Sequence, residues 1–130
     1  MAVLVDTDLL IAFERGAQDS PVTTLAEDVA ISVVTMSELL QGVYRAEGAQ
    51  RARRRAFVEG LFQVMGTIPI TEPVARVRAE LWADLSARGL RLGSNDLWIA
   101  ATAVAHDFGI ATRNVAEFQR VPGLRLVAAA

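Results

Sequence analysis

The chain has no cysteine, no lysine and a single histidine, His106. Without cysteine there are no disulfides, no thiolate metal sites and no cysteine nucleophile, and a reducing cytoplasm suits such a composition. Without lysine there is no Schiff-base chemistry and no P-loop. All 13 basic residues are arginine, so forked guanidinium contacts remain available for a phosphate. Long apolar runs are missing too: an acid or an arginine interrupts each one, so no membrane-spanning helix is expected. No basic segment precedes a longer apolar stretch near Met1, and no signal peptide is expected. The net charge of −2 argues against a generic polyanion binder.

What remains is apolar and globular in character. A hydrophobic fraction of 52% over 130 residues is enough to bury a core in one domain, expected to span residues 1–130. The apolar run Ala2–Val5 is rich in valine and reads as a strand buried on both faces, the pattern of a central parallel strand. Asp6 follows it, at the carboxyl end where open α/β sheets place their ligands.

Thr7 to Arg15 has helical spacing closed by Gly16, and Ser20-Pro21 opens a short helix to about Glu27. Val29–Val34 is a second β-branched strand, followed by helices over Thr35–Ala46 and Gln50–Met65. Thr67–Ile70 is a brief strand near an edge, because Pro69 has no N–H to donate. Glu72 to about Arg88 carries Val74, Val77, Leu81 and Leu85 at helical spacing. A turn at Gly89–Gly93 leads into a small-residue helix over Asn95–Asp107, buried against the sheet. Ile110–Thr112 is a strand, Val115–Gln119 a helical turn and Leu124–Val127 a last strand. Strands alternating with helices predict a three-layer α/β/α sandwich around a mainly parallel sheet.

That topology brings distant acids to one edge. Asp6 follows the first strand, Glu38 starts the helix after the second, Asp96 starts the helix before the fourth, and Asn114 and Glu117 follow the fourth. Carboxylates that crowd together repel unless a cation shares them, and an all-oxygen set without histidine or cysteine suits Mg2+ or Mn2+. Singly, each acid has a plainer explanation. Asp6 can cap the first helix, Thr35-Met36-Ser37-Glu38 matches a capping box, and Asp96 suits a helix dipole. Their coincidence on one edge favours a metal site. Asp8 either lines it or faces solvent.

The segments VLVDTDLLIA, TMSELLQGV and GSNDLWIAATAVAHDFGIATRNVAEFQRVPGLRL together resemble PIN-domain ribonucleases, particularly VapC-type toxins of toxin–antitoxin pairs, over essentially the whole chain. The resemblance implies a Mg2+- or Mn2+-dependent endoribonuclease, a homodimer neutralised by a cognate VapB-type antitoxin, and a sheet of order 3-2-1-4-5. Asp6, Glu38 and Asp96 match the family's three main acids. Asn114 stands where a fourth acid often follows the Thr-Arg pair, and Glu117 matches the acid that many members carry before phenylalanine, so either residue is placed to complete the site. Thr7 and Thr112 match small hydroxyl residues near the metal, and Arg113 is either a phosphate contact or an exposed arginine.

Other features have two readings each. Arg51, Arg53, Arg54 and Arg55 form either a solvated helix face or a contact to RNA or to an acidic antitoxin stretch. His106 reads as a helix C-terminal residue rather than a base. Trp82 and Trp98 have the spacing of core or interface residues. The groove bounded by Leu39 and Phe62 is a seat for an amphipathic antitoxin segment. Two other functions compete. Asp6-Thr7-Asp8 resembles the motif of aspartate-dependent phosphatases and phosphotransferases, but Leu10 replaces its threonine and the usual lysine is missing. A catalytically decayed interaction module is suggested by Asn114 and opposed by three intact acids.

Overall fold

The side chains of a three-residue strand serve two cores. β1 (Val3–Val5) is fully buried at the centre of the sheet in the computed structural model, which describes residues 2–16 and 28–127. Successive side chains of a strand point to opposite faces. Val3 and Val5 therefore pack on one side with Ile31 and Ala111, while Leu4 packs on the other with Ala30 and Ile110. Both faces are covered by helices, which is why this run shows no polar alternation.

The remaining strands are β2 (Val29–Ser32), β3 (Gly66–Ile68), β4 (Gly109–Ala111) and β5 (Arg125–Val127). All pairings among them are parallel and the order is β3-β2-β1-β4-β5, matching the expected 3-2-1-4-5 sandwich. On the Val3 and Val5 face lie α1 (Thr7–Glu14), α2 (Val33–Arg45) and α3 (Gly48–Val64), through Leu9, Leu10, Leu39, Val43, Val58 and Leu61. On the Leu4 face lie α4 (Glu72–Ala87) and α5 (Ser94–Ala105), through Val74, Leu81, Leu85, Leu97 and Ile99, with α6 (Val115–Phe118) adding Phe118. Among the described residues no helix is long and apolar enough to cross a membrane.

Two boundaries differ from the sequence reading in ways that matter. β2 stops at Ser32 rather than Val34, because the Ser32 hydroxyl accepts the Val34 amide at 3.1 Å and caps α2. Val33 and Val34 are β-branched, but the cap draws them into the first turn of the helix. Thr35 is thus the third helical residue and Glu38 lies in the second turn, so the capping-box explanation of Glu38 no longer holds. β4 begins and ends one residue earlier than expected, which leaves Thr112 just past the strand. β3 is an edge strand as expected, and it ends before Pro69. The helix expected over 20–27 lies outside the described residues.

α5 ends in a Schellman motif. The amides of Asp107 and Phe108 donate to Val104 and Ala103, at 3.1 and 2.8 Å, with Asp107 in the left-handed region at φ 56°. This turn delivers the chain into β4. His106 sits there, about 18 Å along the helix from its start, hydrogen-bonded through Nδ1 to the Thr102 carbonyl.

The arginine run is mostly occupied with the fold. Arg51 donates to the Ala46 and Tyr44 carbonyls at 2.6 and 3.0 Å, closing the end of α2. Arg54 donates to the Gly42 carbonyl and pairs with Glu14 at 3.3 Å, tying α3 to α2 and α1. Arg55 lies over the Tyr44 ring, 5.2 Å from its centroid. Arg53 has no such partner among the described residues and faces solvent.

Candidate functional site

Parallel strands end together, so the acids gather where β1, β2 and β4 hand over to their helices. Asp6 is the residue between β1 and α1. Its amide donates to the Ala111 carbonyl at 2.9 Å, keeping its backbone zipped to β4. Its side chain is 3% exposed and held at both oxygens: Oδ1 accepts the Thr7 amide at 2.8 Å and Oδ2 accepts the Thr112 hydroxyl at 2.7 Å. Asp6 is therefore the cap of α1 and a member of the site at once. Each oxygen accepts one hydrogen bond and keeps a lone pair for a further partner.

Glu38 reaches the same place from α2. The Thr7 hydroxyl lies 2.7 Å from Glu38 Oε1 and 3.1 Å from the buried Thr35 hydroxyl. A hydroxyl carries one proton, so Thr7 donates to the carboxylate and accepts from Thr35. The next residue, Asp8, is exposed on the first turn of α1. Asp96, half-buried, is in the first turn of α5, whose N-cap is Gly93.

These carboxylates act on one another's charge. Asp6 is pushed up from 3.8 to about 6, chiefly by burial and then by Asp96 and Asp8, while the bonds from Thr112 and Thr7 oppose the shift. Asp96 is also raised, first by burial and then by Glu38, Asp8 and Glu117. Asp96 is thus the member that feels acids from both sides of the cluster. Among the described residues none of Asp6, Asp8, Glu38 or Asp96 has an arginine ion pair. Burying like charges without a counter-ion costs stability, and a site that does so is built for something other than stability.

Glu117 and Asn114 differ in their surroundings. Glu117 acts on Asp96 and pairs with Arg120 at 3.3 Å, and Arg120 also donates to the Arg91 carbonyl at 3.2 Å in the turn before α5. Asn114 uses its backbone, donating its N–H to the Thr112 hydroxyl oxygen at 2.9 Å; its side chain makes no capping bond to α6. Arg113 is exposed and lines a cleft with Asp8, Ile11, Ala12 and Arg15.

The donor set suits a hard divalent cation by its chemistry: oxygens only, held in mutual repulsion, with Glu117 alone paired to an arginine among the described residues. It is not a closed cage, for among the described residues no three of these acids converge as a ready ligand group. Of the two readings the sequence left open for Asp8, both hold in part, since it is exposed and still acts on Asp6 and Asp96. Sequence reasoning missed the participation of Thr35 and Arg120. Thr35 stands three residues before Glu38, on the same helical face. Arg120 stands three residues after Glu117, a spacing that could have found their pair, but its bond to the Arg91 carbonyl leaves no sequence signal.

Beside this edge lies a groove of about 180 Å³ between α1, α2 and α3. Its apolar lining is Leu10, Ile11, Leu39, Phe57, Val58 and Leu61, and Glu38, Arg45 and Arg54 are among its polar lining residues.

A family model described as PIN domain matches residues 3–124. The chain is similar to Ribonuclease VapC1 of Rickettsia felis, 30% identical over 128 residues covering 98% of this chain and 96% of that protein. It is also similar to Ribonuclease VapC4 of Mycobacterium tuberculosis, 40% identical over 111 residues covering 85% of each. Among solved structures, VapBC-5, a toxin–antitoxin system from Mycobacterium tuberculosis, superposes with a TM-score of 0.76 at 33% identity over 97% of this chain and 98% of that one. VapBC2 from Rickettsia felis, bound to a promoter DNA fragment, superposes at 0.88 and 24% identity over 98% of both chains, a likeness of fold alone.

Proposed function

Because the chain belongs to the PIN-domain family, we propose that it is a divalent-metal-dependent endoribonuclease, the toxin of a toxin–antitoxin pair. The observation that carries this reading is Asp6: a buried carboxylate, fixed at both oxygens, raised to about 6 and facing further acids. Asp6, Glu38 and Asp96 would hold Mg2+ or Mn2+, with Glu117 as the fourth acid. Bound there, the ion supplies water activation and charge neutralisation at phosphorus. Thr112 and the Thr7 amide fix the Asp6 carboxylate, and the Thr7 hydroxyl fixes Glu38. Asn114 orients Thr112 through its backbone, which leaves Glu117 as the better fourth ligand. Arg113 is exposed at the rim of the cleft it shares with Asp8, where a guanidinium can take an RNA phosphate.

The apolar groove between α1, α2 and α3 is the proposed seat of the antitoxin. An amphipathic helix laid into it buries its apolar face on Leu39 and Phe57 and ends beside Glu38, so occupancy blocks the acids. The proposed assembly is a homodimer. Trp82 supports it, being exposed beside Leu90 and Leu92 on the opposite side of the sheet. The phosphatase reading wants a lysine, which the sequence lacks, and among the described residues no arginine is ion-paired with Asp6 or Asp8.

The test is cleavage of RNA with Mg2+ or Mn2+ by the wild type, Asp6→Asn and Asp96→Asn. Cleavage that needs the metal and both acids supports the nuclease. Cleavage that survives a chelator or both substitutions rejects it.

A further inference from the structure

Asp96 is crowded by acids, and it stands in a helical turn that has no side-chain cap, because the N-cap is Gly93. Some attraction must hold that turn against the repulsion. The cluster itself offers none, since among the described residues its members have no arginine partner except for Glu117 with Arg120. Besides the bond from the Leu97 amide to the Gly93 carbonyl at 2.8 Å, the turn has side-chain contacts behind the helix.

Arg78 projects from α4 toward the start of α5. Its Nη2 donates to the Ser94 hydroxyl at 3.1 Å and to the Ser94 carbonyl at 3.4 Å. Its guanidinium carbon lies over the Trp98 ring, 4.4 Å from the centroid. Ser94 and Trp98 are four residues apart and share one stripe of α5, facing α4. Asp96 is two residues on from Ser94, about 200° around the helix, on the face turned to the other acids. Arg78 thus grips the back of the turn whose front carries Asp96.

The grip has a cost that argues against an incidental contact. Arg78 Nε is buried without a hydrogen-bond partner among the described residues, whereas an arginine free to extend into water would keep it solvated. The stack on Trp98 compensates in part, because a planar guanidinium gains from an aromatic face. No carboxylate lies within ion-pairing distance of Arg78 among the described residues, so its contacts fix a position and neutralise no acid.

We propose that Arg78 is a positioning residue that clamps Ser94 and Trp98 and so holds Asp96 in the acidic site. This rests on the reading of that site as a metal-dependent nuclease centre. Three measurements compare the wild type with Arg78→Met and Arg78→Lys: Mn2+ binding without RNA, followed by the electron paramagnetic resonance of the free ion; kcat and KM for RNA; and amide exchange at Leu97, whose N–H donates to the Gly93 carbonyl at 2.8 Å.

In Arg78→Met, Mn2+ affinity and kcat are each expected to fall about tenfold, the scale of a lost supporting contact. KM stays unchanged, and Leu97 exchanges faster while the amides of β1 do not. Arg78→Lys keeps the charge and one donor but loses the stack, and falls between. Wild-type Mn2+ affinity in Arg78→Met overturns the proposal. So does a raised KM at intact kcat, which would make Arg78 an RNA contact. Should Arg78→Met not fold, wild-type Mn2+ affinity and kcat in Arg78→Lys overturn it instead. If the wild-type chain cleaves no RNA the nuclease reading fails on its own, and the Mn2+ and exchange measurements still decide the role of Arg78.

Discussion

Replacing Asp6 by asparagine should abolish cleavage and, at neutral pH, stabilise the metal-free protein. The folded-state value of about 6 lies above the 3.8 of an ordinary aspartate. Between those two values the folded chain binds more protons than the unfolded one, so this residue's contribution to stability falls as pH rises through the window. Above it, holding Asp6 ionised costs about 3 kcal/mol relative to the acid form. Asparagine removes that cost but disturbs one bond: its single oxygen can keep the Thr7 amide, and the Thr112 hydroxyl loses its carboxylate acceptor. A lost buried hydrogen bond is worth roughly 1–2 kcal/mol. The variant should therefore be more stable than the wild type by about 1–2 kcal/mol at pH 7.5. At pH 4, where Asp6 is protonated in the fold, the advantage disappears. Urea unfolding of both proteins in chelator, at matched concentration and at the two pH values, measures this difference. A wild type that gains on the variant as pH rises from 4 to 7.5 would show that Asp6 is a favourable charge and would refute the reasoning.

Other expectations concern the neighbours of that carboxylate. Thr112→Val deletes the 2.7 Å hydrogen bond to Asp6 at nearly constant volume. It should weaken metal activation of cleavage by about tenfold to a hundredfold, read as a shift in the Mn2+ concentration for half-maximal rate. Glu117→Gln should reduce cleavage by at least about tenfold and Asn114→Ala by much less; the reverse ranking would make Asn114 the fourth ligand. Ser32→Ala removes the cap of α2 and should cost about 1 kcal/mol in urea unfolding, whereas a cap at Thr35 would leave that variant at wild-type stability.

Much of this protein can be read before folding is considered. Val3–Val5 announces a central parallel strand because only a strand covered on both faces can be apolar at every position. The alternation of strands and helices then sends Asp6, Glu38 and Asp96 to one edge, since parallel strands all end on the same side. The places of Asp6 and Asp96 at element junctions and of β3 at the edge follow from local pattern, whereas reading the acids as one site needed their coincidence. Where β2 ends does not. Val33 and Val34 have strand propensity, and it took the hydrogen bond between Ser32 and the Val34 amide to turn them into a helix and move Glu38 to its second turn.

Side-chain partnership is where the chain alone falls silent. The family resemblance put Thr112 near the site, but nothing in the sequence says that it donates to Asp6, 106 residues away, or that Arg78 reaches across to Ser94. Nor does the run at Arg51–Arg55 reveal that Arg51 closes one helix and Arg54 ties three together. Periodicity reports which face of an element is apolar, because burial is a property of each residue and its near neighbours. Hydrogen bonds and charge coupling depend on distances between elements far apart in sequence, and those exist only once the layers have packed. Residue types and their order determined that acids would meet at one sheet edge. Tertiary packing decided which hydroxyls hold them, how strongly they repel, and that Asp6 serves as both helix cap and candidate metal ligand.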